Sequence, residues 1–125
     1  MNPHDYKYTE GHTWVKAEDI EAKIGITQYA VKQLGSILFL EVADVGEAIT
    51  QFEPCGTVES AKATSDIMSP VSGEVTAVNE EAIDSLEMVE EDPYGTGWLL
   101  RVRMSDPAEL DALMSAEEFE KYIAE

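Results

Sequence analysis

The chain reads as a mostly β single domain spanning residues 1–125, with one short helix near residue 30 and two more at the C-terminus. Three observations predict it. Runs that alternate apolar and polar residues fill most of the first two thirds, as half-buried strands require. Helix signals are few and local: Thr27 and Gly35 bracket one segment, and acidic capping patterns open at Asp106 and Ser115. A length of 125 residues suffices for one buried core without metals or disulfides.

In chain order, Tyr6–Tyr8 and Thr13–Ala17 are short alternating runs, each able to form a strand with one face inward. Glu18-Asp19 is a turn, and Ile20–Ile26 returns as a strand. Thr27 is an N-cap for a helix over 28–34, and Gly35 ends it. Ile37–Val42 is nearly all apolar and too short for a typical helix, so it is expected to be a buried strand. Val45–Thr50 is faintly echoed by Ser72–Ala77, with Gly46 and Gly73 at matching places.

Residues 80–92 are acidic and fit one short helix or an irregular loop. Asp92–Trp98 is turn-rich, and Trp98–Met104 gives a last strand with Arg101 and Arg103 on one face. Asp106-Pro107-Ala108-Glu109 and Ser115-Ala116-Glu117-Glu118 are capping boxes for helices over 107–113 and 116–124.

Thr57–Ser60 and Thr64–Met68 are strand-like, and the small residues between them make a β-hairpin with Lys62 at its tip. Lys62 is the only lysine or arginine between Lys32 and Arg101. The alanines beside it leave the butyl-ammonium stem unshielded, so a second protein could reach and modify the amine. An ordinary solvated turn lysine is the bland alternative.

The formal net charge is −18, from 26 Asp and Glu against 8 Lys and Arg. Such a charge repels nucleic acid and anionic membrane and suits partners with basic docking surfaces. Cys55 is the only cysteine, which excludes an internal disulfide and fits a reducing, cytoplasmic setting. Its apolar neighbours predict a packed thiol. His4 and His12 are not spaced as a metal pair, and no metal site is expected. No stretch approaches the roughly 20 apolar residues of a spanning helix, and the start, Met-Asn-Pro-His-Asp, has no signal-peptide pattern.

The run Val58-Glu59-Ser60-Ala61-Lys62-Ala63-Thr64-Ser65-Asp66, followed by Ser69-Pro70-Val71-Ser72-Gly73-Glu74-Val75, resembles the lipoyl-attachment segment of the H protein of the glycine cleavage system. The likeness extends to Gly11-His12-Thr13-Trp14-Val15, to the segment from Gly25-Ile26-Thr27 through Leu34-Gly35, and to Pro93-Tyr94 with Gly97-Trp98. Departures fall at Thr13, where the family has a glutamate, at Ser36, Ala43 and Ala61, and at Gln51–Pro54, which replaces a glycine-containing turn.

The resemblance implies a flattened barrel of two sheets, a barrel-sandwich hybrid of the lipoyl and biotinyl type, and a monomer. It implies lipoic acid in amide linkage to Lys62, and Glu59, Gly46 and Gly73 forming the shape a lipoate-attaching enzyme recognises. It places Asp66, Gln33, Thr13 and His12 around a pocket for the arm. The implied role is a carrier, not an enzyme, taking the aminomethyl group of glycine between glycine decarboxylase, aminomethyltransferase and lipoamide dehydrogenase. The alternative within the same carrier class is service to a heterodisulfide-reductase-like sulfur-oxidation complex.

Three rivals compete with the lipoyl reading. Asp84-Ser85-Leu86 resembles the phosphopantetheine motif of acyl carrier proteins, but those are helical bundles. Biotinyl domains usually flank their lysine with methionines, where this chain has Ala61 and Ala63. A free-standing enzyme would need a phosphate loop, a nucleophile elbow or a Cys/His pair, and none is present.

Overall fold

The computed structural model describes residues 5–124. It holds nine strands: β1 (Lys7–Tyr8), β2 (Thr13–Glu18), β3 (Glu21–Ile26), β4 (Ile37–Val42), β5 (Ala48–Ile49), β6 (Pro54–Ser60), β7 (Thr64–Met68), β8 (Gly73–Val78) and β9 (Leu100–Met104). Its α-helices are α1 (Gln28–Leu34), α2 (Glu80–Asp84), α3 (Glu87–Glu91) and α4 (Ala116–Ala124), and a 3₁₀ helix covers Pro107–Ala112. His4, one of the two histidines not expected to form a metal pair, lies outside the described residues.

The strands form two antiparallel sheets rather than one closed barrel: a six-stranded sheet in the order β1-β2-β3-β9-β8-β5, and a three-stranded sheet β4-β6-β7. Between them lies the main core, in which Val15, Ile24, Val75, Leu100 and Val102 of the large sheet face Leu40, Val58 and Ile67 of the small one. Burying each of these side chains contributes about 1.5–3 kcal/mol relative to leaving it in water. The faint sequence echo has a structural meaning. Ala48 pairs with Glu74 and Ile49 with Gly73, and the Gly46 N–H donates to the Val75 carbonyl at 2.8 Å, so the two echoing segments lie against each other.

A second cluster of Tyr8, Trp14, Ala116 and Phe119 fastens α4 to the start of the chain. The rings of Tyr8 and Phe119 stack with centroids 4.9 Å apart. The Ser115 box forms as expected: the Glu118 N–H donates to Ser115 Oγ at 3.2 Å, and the Ser115 N–H donates to Glu118 Oε1 at 2.9 Å.

Three expectations are corrected, and one turn has an unexpected backbone. The acidic stretch 80–92 holds two short helices, α2 and α3, because Asn79 caps the first through the Ala82 N–H and Ser85 interrupts the run. The segment after Asp106 is 3₁₀ rather than α-helical. Its capping box is incomplete, since the Glu109 carboxylate instead accepts from the Ser72 N–H (2.7 Å) and Ser72 Oγ (2.8 Å). Strand β4 is not buried along its length: Leu38 and Phe39 are 64% and 50% exposed. Finally, Phe52 takes the left-handed conformation (φ 66°) in the turn where the family's glycine is missing.

Candidate functional site: a lysine hairpin and its cavity

Strands β6 and β7 pair from Pro54 opposite Met68, through one register shift between Pro54 and Gly56, to Glu59 opposite Thr64, which brings the chain to a tight turn at Ala61-Lys62-Ala63. Ser60 organises that turn. Its N–H donates to the Ala63 carbonyl at 2.8 Å, and its Oγ accepts from the Lys62 N–H (3.2 Å) and the Ala63 N–H (3.1 Å). Serine suits this place because a short hydroxyl side chain can stand in for a backbone turn partner. The Ala61 N–H donates to the Ser36 carbonyl at 3.1 Å, which ties the tip to the connection between α1 and β4.

Lys62 is exposed, and its stem has one neighbour in the end of α1. It lies along Gly35, such that a β-carbon there would sit 3.5 Å from Lys62 Cε and 3.9 Å from Nζ. Gly35 closes α1 with φ 74° and ψ −133°, a backbone shape that a side chain strains. The ammonium therefore rests by the C-terminal end of a helix, where the aligned peptide dipoles favour a cation.

Helix α1 is itself held at its N-terminal end. Thr27 Oγ1 accepts from the Ala30 N–H at 3.1 Å, the predicted cap. The Gln28 N–H donates to the Tyr94 hydroxyl at 3.1 Å, and Trp14 Nε1 donates to the Pro93 carbonyl at 2.9 Å, so the Pro93-Tyr94 turn seats the helix against β2. From α3, Glu90 Oε2 accepts from the Ile37 N–H at 3.0 Å and fixes the start of β4. Sequence reasoning read Gly35 as a helix stop but not as the surface under the Lys62 stem, and it missed the bracing by Ser60 and Glu90. The Ser60 turn had a readable signal, a serine followed by small residues at a hairpin tip; Glu90 had none, because its partner is 53 residues away.

Beside the hairpin is a cavity of about 110 Å³ whose lining includes His12, Thr13, Gln33, Leu34, Val58 and Asp66. The four residues expected around an arm pocket, His12, Thr13, Gln33 and Asp66, are thus brought together from a turn, β2, α1 and β7. Gln33 and Asp66 are exposed at its rim, while Thr13 is fully buried. Thr13 Oγ1 and Thr9 Oγ1 share a hydrogen bond of 2.6 Å, and the Thr13 N–H donates to Thr9 Oγ1 at 3.2 Å. His12 (φ 64°) packs against Tyr29, Phe119 and Tyr122. Burial pushes its imidazole below the ordinary value of 6.5, and its buried Nδ1 has no hydrogen-bond partner among the described residues. The cavity's volume is well under the roughly 300–1,000 Å³ of a free-ligand pocket.

The other nominated positions separate. Glu59 is exposed on the outward face of the small sheet, opposite Phe39 on one side and Thr64 on the other. Gly46 (φ 93°) and Gly73 sit beyond the far end of the hairpin and have backbone reasons to be glycine. At Gly73 a β-carbon would collide with the Arg103 carbonyl oxygen of β9. Ser85 is exposed at the junction of α2 and α3, in a β domain rather than a helical bundle. Cys55 is buried, and burial pushes its thiol up to about 11.

No helix among the described residues is long and apolar enough to cross a membrane. A curated relative from Carboxydothermus hydrogenoformans, named glycine cleavage system H protein, is 49% identical over 123 residues, covering 98% of this chain and 95% of its own. One of the same name from Rubrobacter xylanophilus is 48% identical over 98% of this chain and 95% of its own. The crystal structure of a glycine cleavage system H protein from Mycobacterium marinum superposes with a TM-score of 0.91 at 35% identity, covering 99% of this chain and 100% of that one. Neither the heterodisulfide-reductase-like reading nor the Ser85 reading draws support from these likenesses. The glycine cleavage H-protein family model matches residues 6–125, and with the lysine hairpin and two-sheet fold already in place, this chain belongs to the glycine cleavage H-protein family.

Proposed function

We propose that Lys62 carries lipoic acid in amide linkage and that the protein presents this arm as the carrier of the glycine cleavage system. The observation that supports it best is the display of one isolated lysine on a braced hairpin next to a small cavity. The cavity fits such an arm. Its wall of Ile26, Ala30, Leu34, Val58 and Ile67 suits an apolar chain, and Thr13, Gln33, Asp66 and the unpartnered His12 Nδ1 offer hydrogen bonds to a polar end.

When bound, the lipoyl group supplies a disulfide–dithiol pair, and the redox and transfer chemistry is its own. The chain's part is mechanical and electrostatic. Ser60 and Ser36 hold the tip, so Lys62 Nζ starts from one place. The stem lies beside Gly35 at the end of α1, the helix that also supplies Ala30, Gln33 and Leu34 to the cavity. The Asp66 carboxylate can hold a cationic cargo at the rim, and the buried walls keep water from the cargo. Tethering gives an arm end a local concentration on the order of millimolar at each docked partner.

The cargo is the aminomethyl group of glycine, and the partners are glycine decarboxylase, aminomethyltransferase and lipoamide dehydrogenase, after a lipoate-attaching enzyme has modified Lys62. Peptide-level mass spectrometry on protein made with lipoate and a ligase tests the attachment: lipoyl mass on the Lys62 peptide is expected, and its loss in Lys62→Arg. Exchange of carbon dioxide with the glycine carboxyl, driven by the lipoylated protein and active decarboxylase, tests the cargo. Lipoylated protein that gives no exchange, where another H protein does, refutes the glycine role.

A further inference from the structure

The outward end of β4 carries a feature that the carrier role leaves unused. Leu38 and Phe39 are consecutive, yet both are exposed, by 64% and 50%. In a regular strand neighbouring side chains point to opposite faces, so one of the two would be covered by the core. A β-bulge prevents this. Ile37 lies opposite Ser60 and Phe39 opposite Glu59, so two steps on β4 answer one on β6. Such bulges re-aim side chains, and this one keeps two large apolar groups in water on the strand bonded to the lysine hairpin. The Ser36 carbonyl that holds the Ala61 N–H is two residues from Leu38, so patch and lysine are braced against each other.

The surroundings of Phe39 are acidic. A shallow groove of about 340 Å³ along β4 is lined by Phe39, Glu41, Asp44, Glu80, Ile83 and Asp84. Glu59 stands directly across the strand pair from Phe39. None of these carboxylates has an ion-pair partner among the described residues, where the one salt bridge is Arg103–Glu74. An apolar knob inside an anionic ring is the complement of an apolar socket flanked by lysine or arginine.

We infer that the bulged end of β4, with Leu38 and Phe39 at its centre, is the docking surface for the enzyme that attaches lipoate to Lys62. This rests on the reading of Lys62 given above. The choice of partner follows from reach. An unmodified lysine extends only by its own four-carbon stem, so the enzyme that acylates it must come closest to the root of the hairpin, which this patch adjoins. Enzymes that meet the finished arm can stand further off. In the step served, neutral Nζ attacks the acyl carbon of a lipoyl-adenylate and forms the amide. AMP leaves with the electron pair of the broken acyl–phosphate bond, and the amine's proton passes to solvent; no electron changes hands.

The test measures lipoylation of the full chain by purified lipoate ligase with lipoate and ATP, read by mass spectrometry. Leu38→Ser and Phe39→Ser, singly and together, are expected to lower kcat/KM about tenfold or more for the pair, mainly through KM, as loss of a central apolar anchor does. Phe39→Leu recovers most of the rate, and Ile20→Ser, at an exposed apolar residue in the turn between β2 and β3, leaves it unchanged. Circular dichroism selects the folded variants, and Leu38→Ser, at the more exposed position, serves if the double variant unfolds. Glu41→Gln with Glu80→Gln is expected to raise KM and flatten its dependence on salt. Wild-type kinetics in folded Leu38→Ser or Phe39→Ser overturns the inference. So does normal attachment combined with a loss seen only at the decarboxylase, which gives the surface to that partner. Wild-type protein left unmodified at Lys62 overturns the reading of the lysine itself.

Discussion

Lys62 lies across Gly35, with its Cε 3.5 Å from where a β-carbon of that residue would be. The contact joins the hairpin tip to the end of α1, where the helix stops on a glycine because the backbone there turns to φ 74°. Gly35→Ala places no atom in a clash, but it forces a side chain into a sparsely allowed backbone shape. The expected loss is about 1–3 kcal/mol of stability, read as a lower urea midpoint at unchanged m-value. An unchanged midpoint would mean the connection relaxes at no cost.

Ser60→Ala removes the acceptor of the Lys62 and Ala63 N–H groups at 3.2 and 3.1 Å. The global effect is expected to be about 1 kcal/mol or less, because the site is exposed and water replaces the hydroxyl. The local effect is larger in kind: amide exchange at Lys62 and Ala63 speeds up while exchange in β2 and β3 does not. Equal acceleration in both places would show that Ser60 acts on the whole fold and not on the tip.

Thr13 stands where the family has a glutamate, and the structure gives the threonine its own partner in Thr9, at 2.6 Å between buried hydroxyls. Thr13→Val is expected to destabilise the fold by about 1 kcal/mol, and Thr13→Ser by less. Denaturant midpoints of the two variants decide it; a Thr13→Val protein as stable as wild type would make the hydrogen bond idle.

His12 makes stability pH-dependent. Burial lowers its pKa below 6.5, so as pH falls the unfolded chain takes up the proton before the folded one. Its contribution is therefore fully present above about 6.5 and is lost as pH drops through that value and past the lower folded pKa. Between pH 7.5 and pH 5.5 the wild type is expected to lose more stability than His12→Asn, a substitution that tolerates φ 64°. Parallel losses in the two proteins would remove His12 as the cause.

Cys55 is expected to be inert in the folded state. Its thiol is raised from 9.0 to about 11, which lowers the thiolate fraction at neutral pH about 100-fold, and burial blocks access besides. A disulfide-exchange reagent at pH 8 is expected to react slowly with native protein and promptly in guanidinium. Prompt reaction with native protein would place the sulfur at the surface.

Much of the architecture was legible before any coordinates. Thr27 and Gly35 delimit a helix because a hydroxyl cap and a glycine stop act within one turn of chain. The Lys62 hairpin was legible for the same reason, as were the Ser115 box and the packed Cys55. The capping box at Asp106 misled, because Glu109 had a rival partner in Ser72, 37 residues away. Ile37–Val42 misled too: apolar composition marks a strand but cannot reveal a bulge, which depends on how β6 is registered against it.

Local chemistry thus settled the strands, the caps and the identity of the exposed lysine, since each depends on residues a few positions apart. Which residues meet at the cavity was settled by packing. His12, Thr13, Gln33 and Asp66 come from four different segments, and only the closure of two sheets over a shared core sets them around one space. The rest of the lysine stem on Gly35, the grip of Glu90 on β4 and the exposure of Phe39 arise the same way, from contacts between elements whose separation along the chain carries no local signature.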